Sequence, residues 1–272
     1  MEEHLIEIMD QGRLAAVLHL PDNYKERPCP LVIYCPGKNG ERYEVHRLAV
    51  KFARRLAAQG IAFLRFDYYG MGLSDGKYYE MTTSTKVSNV KAALSLAQKL
   101  PFIRSNEIFY LGFSDGARIA LMAAKETKVH NVLFWSPLFY EFGGDYPNGK
   151  HPRFFRHFEN VNYLVMPWAG LWVGMNFYRD LLEIDIEDYL SSFKGSSLLI
   201  YGDEDPLIQE EFVKLDTSKY AIYKNQYPSK VVCIPGAGHL FTSFPLEQQL
   251  MELTEQWIWK KLEESGNHVA SD

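Results

Sequence analysis

Three residue types needed for attack on a carbonyl group occur in this chain in short, recognisable settings. Ser114 lies in Gly112-Phe113-Ser114-Asp115-Gly116, after an apolar run that predicts a strand and before an alanine-rich run that predicts a helix. A serine on so tight a strand-to-helix turn stands exposed at the edge of a sheet. The flanking glycines let the strand and the helix approach each other. The pattern therefore predicts that Ser114 is a nucleophile.

The same five-residue pattern occurs a second time, centred on Ser74, in residues 72–76. Ser74 follows several residues after a predicted strand that ends at Phe66, and the sequence KYYEMTT comes next instead of a helix. The structural context that a nucleophile needs is missing there. We therefore predict that Ser74 is a loop residue.

A base and an acid should follow the nucleophile in the order serine, acid, histidine. The histidines late enough are His239, in the glycine-rich PGAGHLF after a predicted strand, and His268, in the polar C-terminal segment. The sequence favours His239 as the base. The preceding predicted strand runs into Asp203, Glu204 and Asp205. Asp205 is the preferred acid and Asp203 the second choice, with the role of accepting the imidazole N–H and stabilising the imidazolium.

A glycine-rich turn, Pro36-Gly37-Lys38-Asn39-Gly40, follows the apolar run LVIYC. Backbone N–H groups at such a turn can bind the oxyanion of a tetrahedral intermediate. We predict an oxyanion hole formed by the N–H groups of Lys38 and Asp115. The side chain of Lys38 is either a solvated loop lysine or a cation that meets a carboxylate or phosphate on a ligand.

The site residues need a scaffold, and apolar runs predict eight strands. Runs such as LVIY, VLFW and LLIY are apolar without alternation, which is typical of parallel strands buried on both faces. The predicted strands are Leu5–Met9, Arg13–Leu20, Leu31–Cys35, Ile61–Phe66, Ile108–Gly112, Val132–Trp135, Ser197–Tyr201 and Lys230–Ile234.

Helical spacing of apolar residues predicts helices between these strands, at Glu44–Gln59, Thr83–Leu100 and Pro245–Leu262. Strands that alternate with helices predict an α/β fold, a mostly parallel sheet of eight strands with helices on both faces.

One segment breaks this alternation and is rich in aromatic residues. Residues 137–194 contain 14 aromatics among 58 residues, or 24%, against 14% for the whole chain. We interpret 137–194 as a lid inserted into a core of residues 1–136 and 195–265, followed by a flexible tail, 266–272. The lid either lines an acyl pocket, with Phe139, Trp168 and Trp172 as substrate-binding residues, or packs its aromatic side chains against one another.

Composition excludes several other functions. The net charge is −5, from 29 basic and 34 acidic side chains, and does not suit binding to a nucleic-acid backbone. No cluster of histidine, cysteine and acidic residues has metal-ligand spacing, and the chemistry above needs no cofactor. The three cysteines suggest free thiols. With no secretory signal and no run of 18 apolar residues, we expect a cytoplasmic protein without a membrane span.

Taken together, the motifs resemble the α/β-hydrolase superfamily, in particular its serine aminopeptidase-type hydrolases, feruloyl or cinnamoyl esterases and acyl thioesterases. The matching segments are RLAAVLHLP, PGKNG, FDYYGMGLSDG, GFSDG, YGDEDPLI and PGAGH. The resemblance implies an α/β-hydrolase fold, a non-catalytic loop around Ser74, and an acid at Asp205, spaced from Gly202 and Ile208 as in the family. Two departures stand out. Pro36 replaces the usual histidine of the turn at residues 36–40, here called the oxyanion turn, and the residue after the predicted nucleophile, Asp115, is acidic.

These observations predict a serine hydrolase that cleaves a small-molecule ester or thioester of an apolar or aromatic acyl group through an acyl-enzyme on Ser114. Carboxylesterase and thioesterase activities stay open, and an acyl carrier could dock on Lys38, Arg42 and Arg47. An acyltransferase remains an alternative, as does a non-catalytic ligand-binding protein. An aminopeptidase would hold a free amine with acidic residues of the insertion, for which the candidates are Glu141, Asp145, Glu183, Asp185 and Glu187.

Overall fold

The computed structural model describes residues 1–140, 153–168 and 170–269. Its strands form one large sheet and one small sheet. In chain order the strands are β1 (Glu2–Met9), β2 (Arg13–Leu20), β3 (Cys29–Cys35), β4 (Ala62–Phe66), β5 (Ile103–Phe113), β6 (Asn131–Trp135), β7 (Phe155–Arg156), β8 (Leu164–Trp168), β9 (Leu171–Gly174), β10 (Ser196–Gly202) and β11 (Ser229–Ile234).

The large sheet has eight strands in the order β1-β2-β4-β3-β5-β6-β10-β11. β1 and β2 pair antiparallel with each other, and β2 pairs antiparallel with β4. Every further pair in this sheet, from β4 to β11, is parallel. This topology confirms the predicted mostly parallel, eight-stranded sheet. The carboxyl ends of its parallel strands therefore meet at one edge, where their loops converge.

Seven α-helices accompany the sheets among the described residues. They are α1 (Leu48–Ala58), α2 (Thr83–Ala97), α3 (Gly116–Thr127), α4 (Met175–Glu183), α5 (Ile186–Ser192), α6 (Pro206–Lys214) and α7 (Phe244–Val269).

Both faces of the large sheet are buried at its central strands, as the apolar runs predicted. In β3, Leu31 and Ile33 belong to one core cluster, together with residues of α2 and α3. Their neighbours Val32 and Tyr34 belong to a second cluster, with residues of α1 and α7. All four side chains are completely buried. A strand with helices on both faces has no reason to alternate polar and apolar residues.

All three predicted helices differ in length from the observed ones; α2 ends three residues early, at Ala97. The helix predicted from Glu44 instead starts with a short 3₁₀ turn, Val45–Arg47, in which His46 and Arg47 have left-handed backbone angles. The α-helix proper begins only at Leu48. At the other end of the chain, α7 continues to Val269 and so reaches into the segment predicted as a flexible tail.

The segment between β6 and β10, here called the insertion (residues 137–194), contains the small sheet and two helices. β7, β8 and β9 form a three-stranded antiparallel sheet, followed by α4 and α5. Met81 packs beneath it with Met166 and Phe177 in a small separate core. The aromatic content had predicted an insertion here but not this sheet.

Cys29, Cys35 and Cys233 are free thiols, the first two of them buried. Among the helices of the described ranges, none has the length and the apolar content needed to cross a membrane.

Candidate active site

Ser114 lies on a sharp turn between the end of β5 and the start of α3. Its backbone is left-handed, with φ of 54°, and its N–H donates to the carbonyl of Trp135 at 2.9 Å. A side chain at Gly112 would collide with the first turn of α3, and one at Gly116 would collide with carbonyls at the end of β3. The two glycines therefore permit the close approach that lifts Ser114 above the sheet edge.

The structure brings Ser114 together with the predicted base and acid. The Nε2 atom of His239 lies 2.9 Å from the Oγ atom of Ser114. On the other side of the ring, Nδ1 lies 2.7 Å from the Oδ2 atom of Asp205. A neutral imidazole that donates from Nδ1 to the carboxylate presents Nε2 as the acceptor for the serine hydroxyl. The geometry is that of a nucleophile, a general base and an orienting acid.

Asp205 is fixed in place because it also caps a helix. It is completely buried and is the residue before α6, and its Oδ1 atom accepts the N–H groups of Leu207 and Ile208 at 3.0 and 3.3 Å. The competing Asp203 accepts the N–H of Gly236 at 2.6 Å and so stabilises the loop that carries His239. Of the two, Asp205 is the carboxylate that contacts the imidazole.

The second serine of the repeated pattern, Ser74, forms hydrogen bonds that hold a loop in place. The Oγ atom of Ser74 donates to the carbonyl of Asp67 at 2.7 Å and accepts the N–H of Ala15 at 2.9 Å. Both partners are main-chain groups near the ends of β4 and β2. The hydroxyl of Ser74 thus ties a loop to the sheet, in agreement with its interpretation as a loop residue.

The two predicted oxyanion donors lie on either side of Ser114. Asp115 directly precedes α3, and the first N–H groups of a helix have no partner within it. Lys38 lies in the glycine-rich turn after β3, where the ideal Cβ position of Gly37 is 3.5 Å from the Cβ atom of Ser114. That turn therefore passes directly beside Ser114.

The carboxylate of Asp115 lies in a buried ion cluster. It accepts from Lys86 Nζ at 2.9 Å and from the guanidinium of Arg118. Burial alone would raise the pKa of Asp115, but Arg118 and Lys86 outweigh it and hold that pKa below its usual range. The carboxylate of Asp115 is thus an anion neutralised by neighbouring cations.

The three aromatic residues predicted to bind substrate have different environments. Trp168 is half-buried, with Nζ of Lys38 4.6 Å from its ring centre, so it lies next to the oxyanion turn. Trp172 packs against Phe155 at 5.3 Å between ring centres, within the insertion itself. The prediction for Phe139 needs correction. Its side chain is completely buried in the core against Phe134, because the chain turns inward directly after β6.

Two buried charged residues near this site were missed by the sequence reasoning. Glu44 accepts the N–H of Gly37 in the oxyanion turn, and Lys86 on α2 binds Asp115. Nothing in the sequence pattern distinguishes either residue from a solvated side chain. Of the acidic residues considered for amine binding, Glu141 and Asp145 lie outside the described residues.

Comparison with known proteins agrees with this architecture. Residues 32–250 match the alpha/beta hydrolase family. The structure of Est1E from Butyrivibrio proteoclasticus with bound ferulic acid is similar, with 26% sequence identity, a TM-score of 0.74, and coverage of 93% of this chain and 99% of Est1E. The fold of GrgF from Penicillium sp. sh18 is also similar, with 15% identity, a TM-score of 0.73, and coverage of 96% and 99% of the two chains.

Among curated proteins, this chain is similar to the quorum-quenching protein AidA of Acinetobacter baumannii. The two are 28% identical over 127 residues, which is 46% of this chain and 40% of AidA. The match thus spans less than half of that relative. The match to the family is far longer and includes most of β3, the turn with Ser114 and both loops that carry Asp205 and His239. The chain belongs to the alpha/beta hydrolase family.

Proposed function

We propose that this protein is a serine hydrolase that cleaves an ester of an apolar or aromatic acyl group through an acyl-enzyme on Ser114. The observation that carries the proposal is the continuous chain of hydrogen bonds from Ser114 through His239 to Asp205, of 2.9 and 2.7 Å. These three residues lie on loops at the carboxyl edge of the sheet, where an α/β fold has its ligand site.

The chemistry follows from the arrangement. His239 Nε2 takes the hydroxyl proton of Ser114 as Oγ bonds to the substrate carbonyl carbon, and Asp205 stabilises the imidazolium. Collapse of the tetrahedral intermediate breaks the bond to the leaving oxygen, which receives the proton from His239. Water, deprotonated by the same imidazole, then attacks the acyl carbon. The bond from that carbon to Ser114 Oγ breaks, Oγ takes the proton back from His239, and the carboxylic acid is released.

The N–H groups of Lys38 and Asp115 are the proposed donors to the oxyanion in both steps. The position of the Asp115 side chain supports activity over the non-catalytic alternative. A free carboxylate beside the hole would oppose the negative charge that develops there, whereas the carboxylate of Asp115 is held by Lys86 and Arg118. With the carboxylate bound elsewhere, the backbone N–H remains the group that faces the reacting oxygen.

Two observations support an aromatic or apolar acyl group and a small ester. Est1E, which shares 26% of its sequence with this chain, was solved with ferulic acid, an aromatic acid. Of the three cations considered for docking an acyl carrier, only Arg47 is exposed, since Arg42 pairs with Asp67 and Lys38 is half-buried under Trp168. A thioester on a carrier is therefore the second candidate. The cytoplasmic location stays a prediction.

The test is kcat/KM for a panel of p-nitrophenyl and CoA esters of increasing acyl length, with aryl acyl groups included. We expect turnover of oxygen esters with an optimum at an aryl or medium acyl group. Higher kcat/KM on the CoA esters would favour the thioesterase, and transfer of the acyl group to an added alcohol or amine would favour the acyltransferase.

Matched serine variants identify the nucleophile. Ser114→Ala should abolish turnover, because it removes the group that forms the acyl-enzyme. Ser74→Ala carries the same substitution in the same five-residue pattern and should keep wild-type turnover. Wild-type protein that turns over none of these substrates would refute the proposed function.

A further inference from the structure

A buried carboxylate lies behind the oxyanion turn. Glu44 is 3% exposed, and its Oε2 atom accepts both the N–H of Gly37 at 3.1 Å and the hydroxyl of Tyr34 at 2.9 Å. Its Oε1 atom accepts the N–H of Val45 at 3.2 Å. Burial raises the pKa of Glu44, and these donors oppose that rise. All three donors point at one acceptor-only group, the carboxylate.

This carboxylate fixes the shape of the turn that carries Lys38. The N–H of Gly37 is directed to Glu44, and the carbonyl of Gly37 accepts the N–H of Gly40 at 3.1 Å. Lys38 therefore lies in a turn whose conformation is held by hydrogen bonds of Gly37 and Gly40. A side chain at Gly40 would collide with the carboxylate of Glu44, which shows how closely the turn is wrapped around it.

The backbone around Glu44 is strained. Glu44 has φ of 58° and ψ of 172°, a region that residues with a side chain rarely adopt. His46 and Arg47 are also left-handed, with φ of 38° and 63°. Such strain persists only where the surrounding contacts demand it, and it concentrates at functional sites. Here the strained backbone directs the charged side chain of Glu44 inward, from the segment before α1 to the oxyanion turn.

The same strained segment also contacts the loop of the proposed general base. The Nε2 atom of His46 lies 2.8 Å from the carbonyl oxygen of Leu240, the residue after His239. Its Nδ1 atom lies 3.0 Å from the carboxylate of Glu247 on α7. Residues 44–46 thus connect the oxyanion turn to the loop that presents the imidazole.

We propose that Glu44 is a positioning residue of the proposed hydrolase: its carboxylate holds the oxyanion turn in the conformation in which the Lys38 N–H faces the reacting oxygen. The inference rests on the proposed function and adds a residue to it. Glu44 acts through the turn, and its own carboxylate is occupied by three donors of this chain. Its loss should weaken stabilisation of the transition state more than binding of the ground-state ester.

The test compares Glu44→Gln with Glu107→Gln. Glu107 is also a buried glutamate, 8% exposed and paired with Arg104, but it lies on β5 roughly 20 Å from Ser114 by strand length. Glutamine at position 44 replaces one of the two carboxylate oxygens with an N–H₂ group. That group cannot accept a hydrogen bond, so the three donors no longer all have an acceptor. We expect kcat of Glu44→Gln to fall about 10- to 100-fold, less than or equal to the loss of one oxyanion donor, with KM within about twofold.

A second readout isolates the oxyanion hole. A fluorophosphonate places its phosphoryl oxygen where the carbonyl oxygen of an ester would lie, so its rate of inactivation should fall in parallel with kcat. Glu107→Gln should lower the melting temperature while leaving kcat, KM and the inactivation rate at wild-type values. Tyr34→Phe removes one donor to Glu44 and should lower kcat by a smaller factor at unchanged KM.

The outcomes separate the two proposals. Suppose the wild type is active, Ser114→Ala is inactive, and kcat of Glu44→Gln is within twofold of wild type. That result would overturn the role of Glu44 but not the proposed hydrolase activity. An equal loss of kcat in Glu107→Gln would also overturn it, since the effect would then be one of general stability. Inactive wild type would overturn the hydrolase itself. Should Glu44→Gln not fold, unchanged kcat in Tyr34→Phe would overturn the positioning role.

Discussion

The ion cluster beside the nucleophile predicts an asymmetry between two substitutions. Asp115 has two cationic partners, Lys86 and Arg118. Among the described residues, Lys86 has a single carboxylate partner, which is Asp115. Asp115→Asn therefore leaves Lys86, which is completely buried, without its counter-ion. Lys86→Met leaves Asp115 still paired with Arg118 and puts a side chain of similar length into the same space.

The magnitude follows from the distance and the burial. At 2.9 Å and an effective dielectric constant of about 20, the attraction between Lys86 and Asp115 is about 6 kcal/mol, and the desolvation of the two ions offsets part of it. Removing one partner of a buried pair costs about 3–5 kcal/mol, because the other charge stays behind unpaired. We expect a loss of that size in Asp115→Asn and a loss below about 2 kcal/mol in Lys86→Met.

The assay is urea unfolding at pH 7, followed by tryptophan fluorescence and far-ultraviolet circular dichroism. The double variant of Asp115→Asn and Lys86→Met should be more stable than Asp115→Asn alone, because it removes the unpaired cation. The reasoning is refuted by a Lys86→Met variant as unstable as Asp115→Asn. A double variant with the summed losses of the two single variants would refute it equally.

Three further predictions test the acid, the pH dependence of stability and the nucleophile turn. Asp205→Asn should lower kcat by about 10³ to 10⁴ with little change in melting temperature, since asparagine also caps helices; retention of a tenth of the activity would contradict its role. Burial and the neighbouring Arg65 lower the pKa of His19 from 6.5 to about 4, so the unfolded chain takes up this proton first as the pH falls. Between pH 6.5 and 4 the wild type should lose about 3 kcal/mol of unfolding free energy that His19→Gln does not lose, and equal pH slopes would count against this. Gly116→Ala should cost about 3 kcal/mol from its collision with β3, and Gly60→Ala, left-handed but in open space, only about 1 kcal/mol; equal melting temperatures would contradict the comparison.

The strands of the large sheet could be predicted because their signal is local. The central strands lie in runs of apolar residues that both faces of the sheet require, as in Val132–Trp135, where the observed β6 adds one residue. The loops with Ser114, Asp205 and His239 were predictable for a related reason. Each directly follows such a strand, and parallel strands end at a common edge.

The sequence predicted an insertion between β6 and β10 but did not predict how that segment folds. Its strands are short, two residues in β7 and five in β8, and they are defined by pairing with one another more than by their own composition. Aromatic content does not say which rings face a ligand. Phe139 shows this, because its ring packs into the core of the large sheet, whereas Trp168 reaches the oxyanion turn.

Glu44 escaped prediction for a different reason. A glutamate at the start of an amphipathic pattern is typical of the exposed first turn of a helix, which is how the sequence reads there. Its burial depends on left-handed backbone angles at Glu44 and His46, and these follow from contacts with Gly37 and Leu240, remote from its own local pattern. Residues whose position is fixed by strain and by distant partners leave no periodic signal.

The ammonium group of Lys38 joins two parts of the molecule that are otherwise separate in the chain. It lies 4.6 Å from the ring centre of Trp168 on β8 and 4.9 Å from that of Phe177 on α4. Substitutions that reshape the insertion therefore change the surroundings of the turn beside Ser114, and under the proposed function they would alter the choice of acyl group and the rate together. Specificity and rate would not evolve independently in this protein, and an insertion grafted from a relative should be exchanged together with its partner turn.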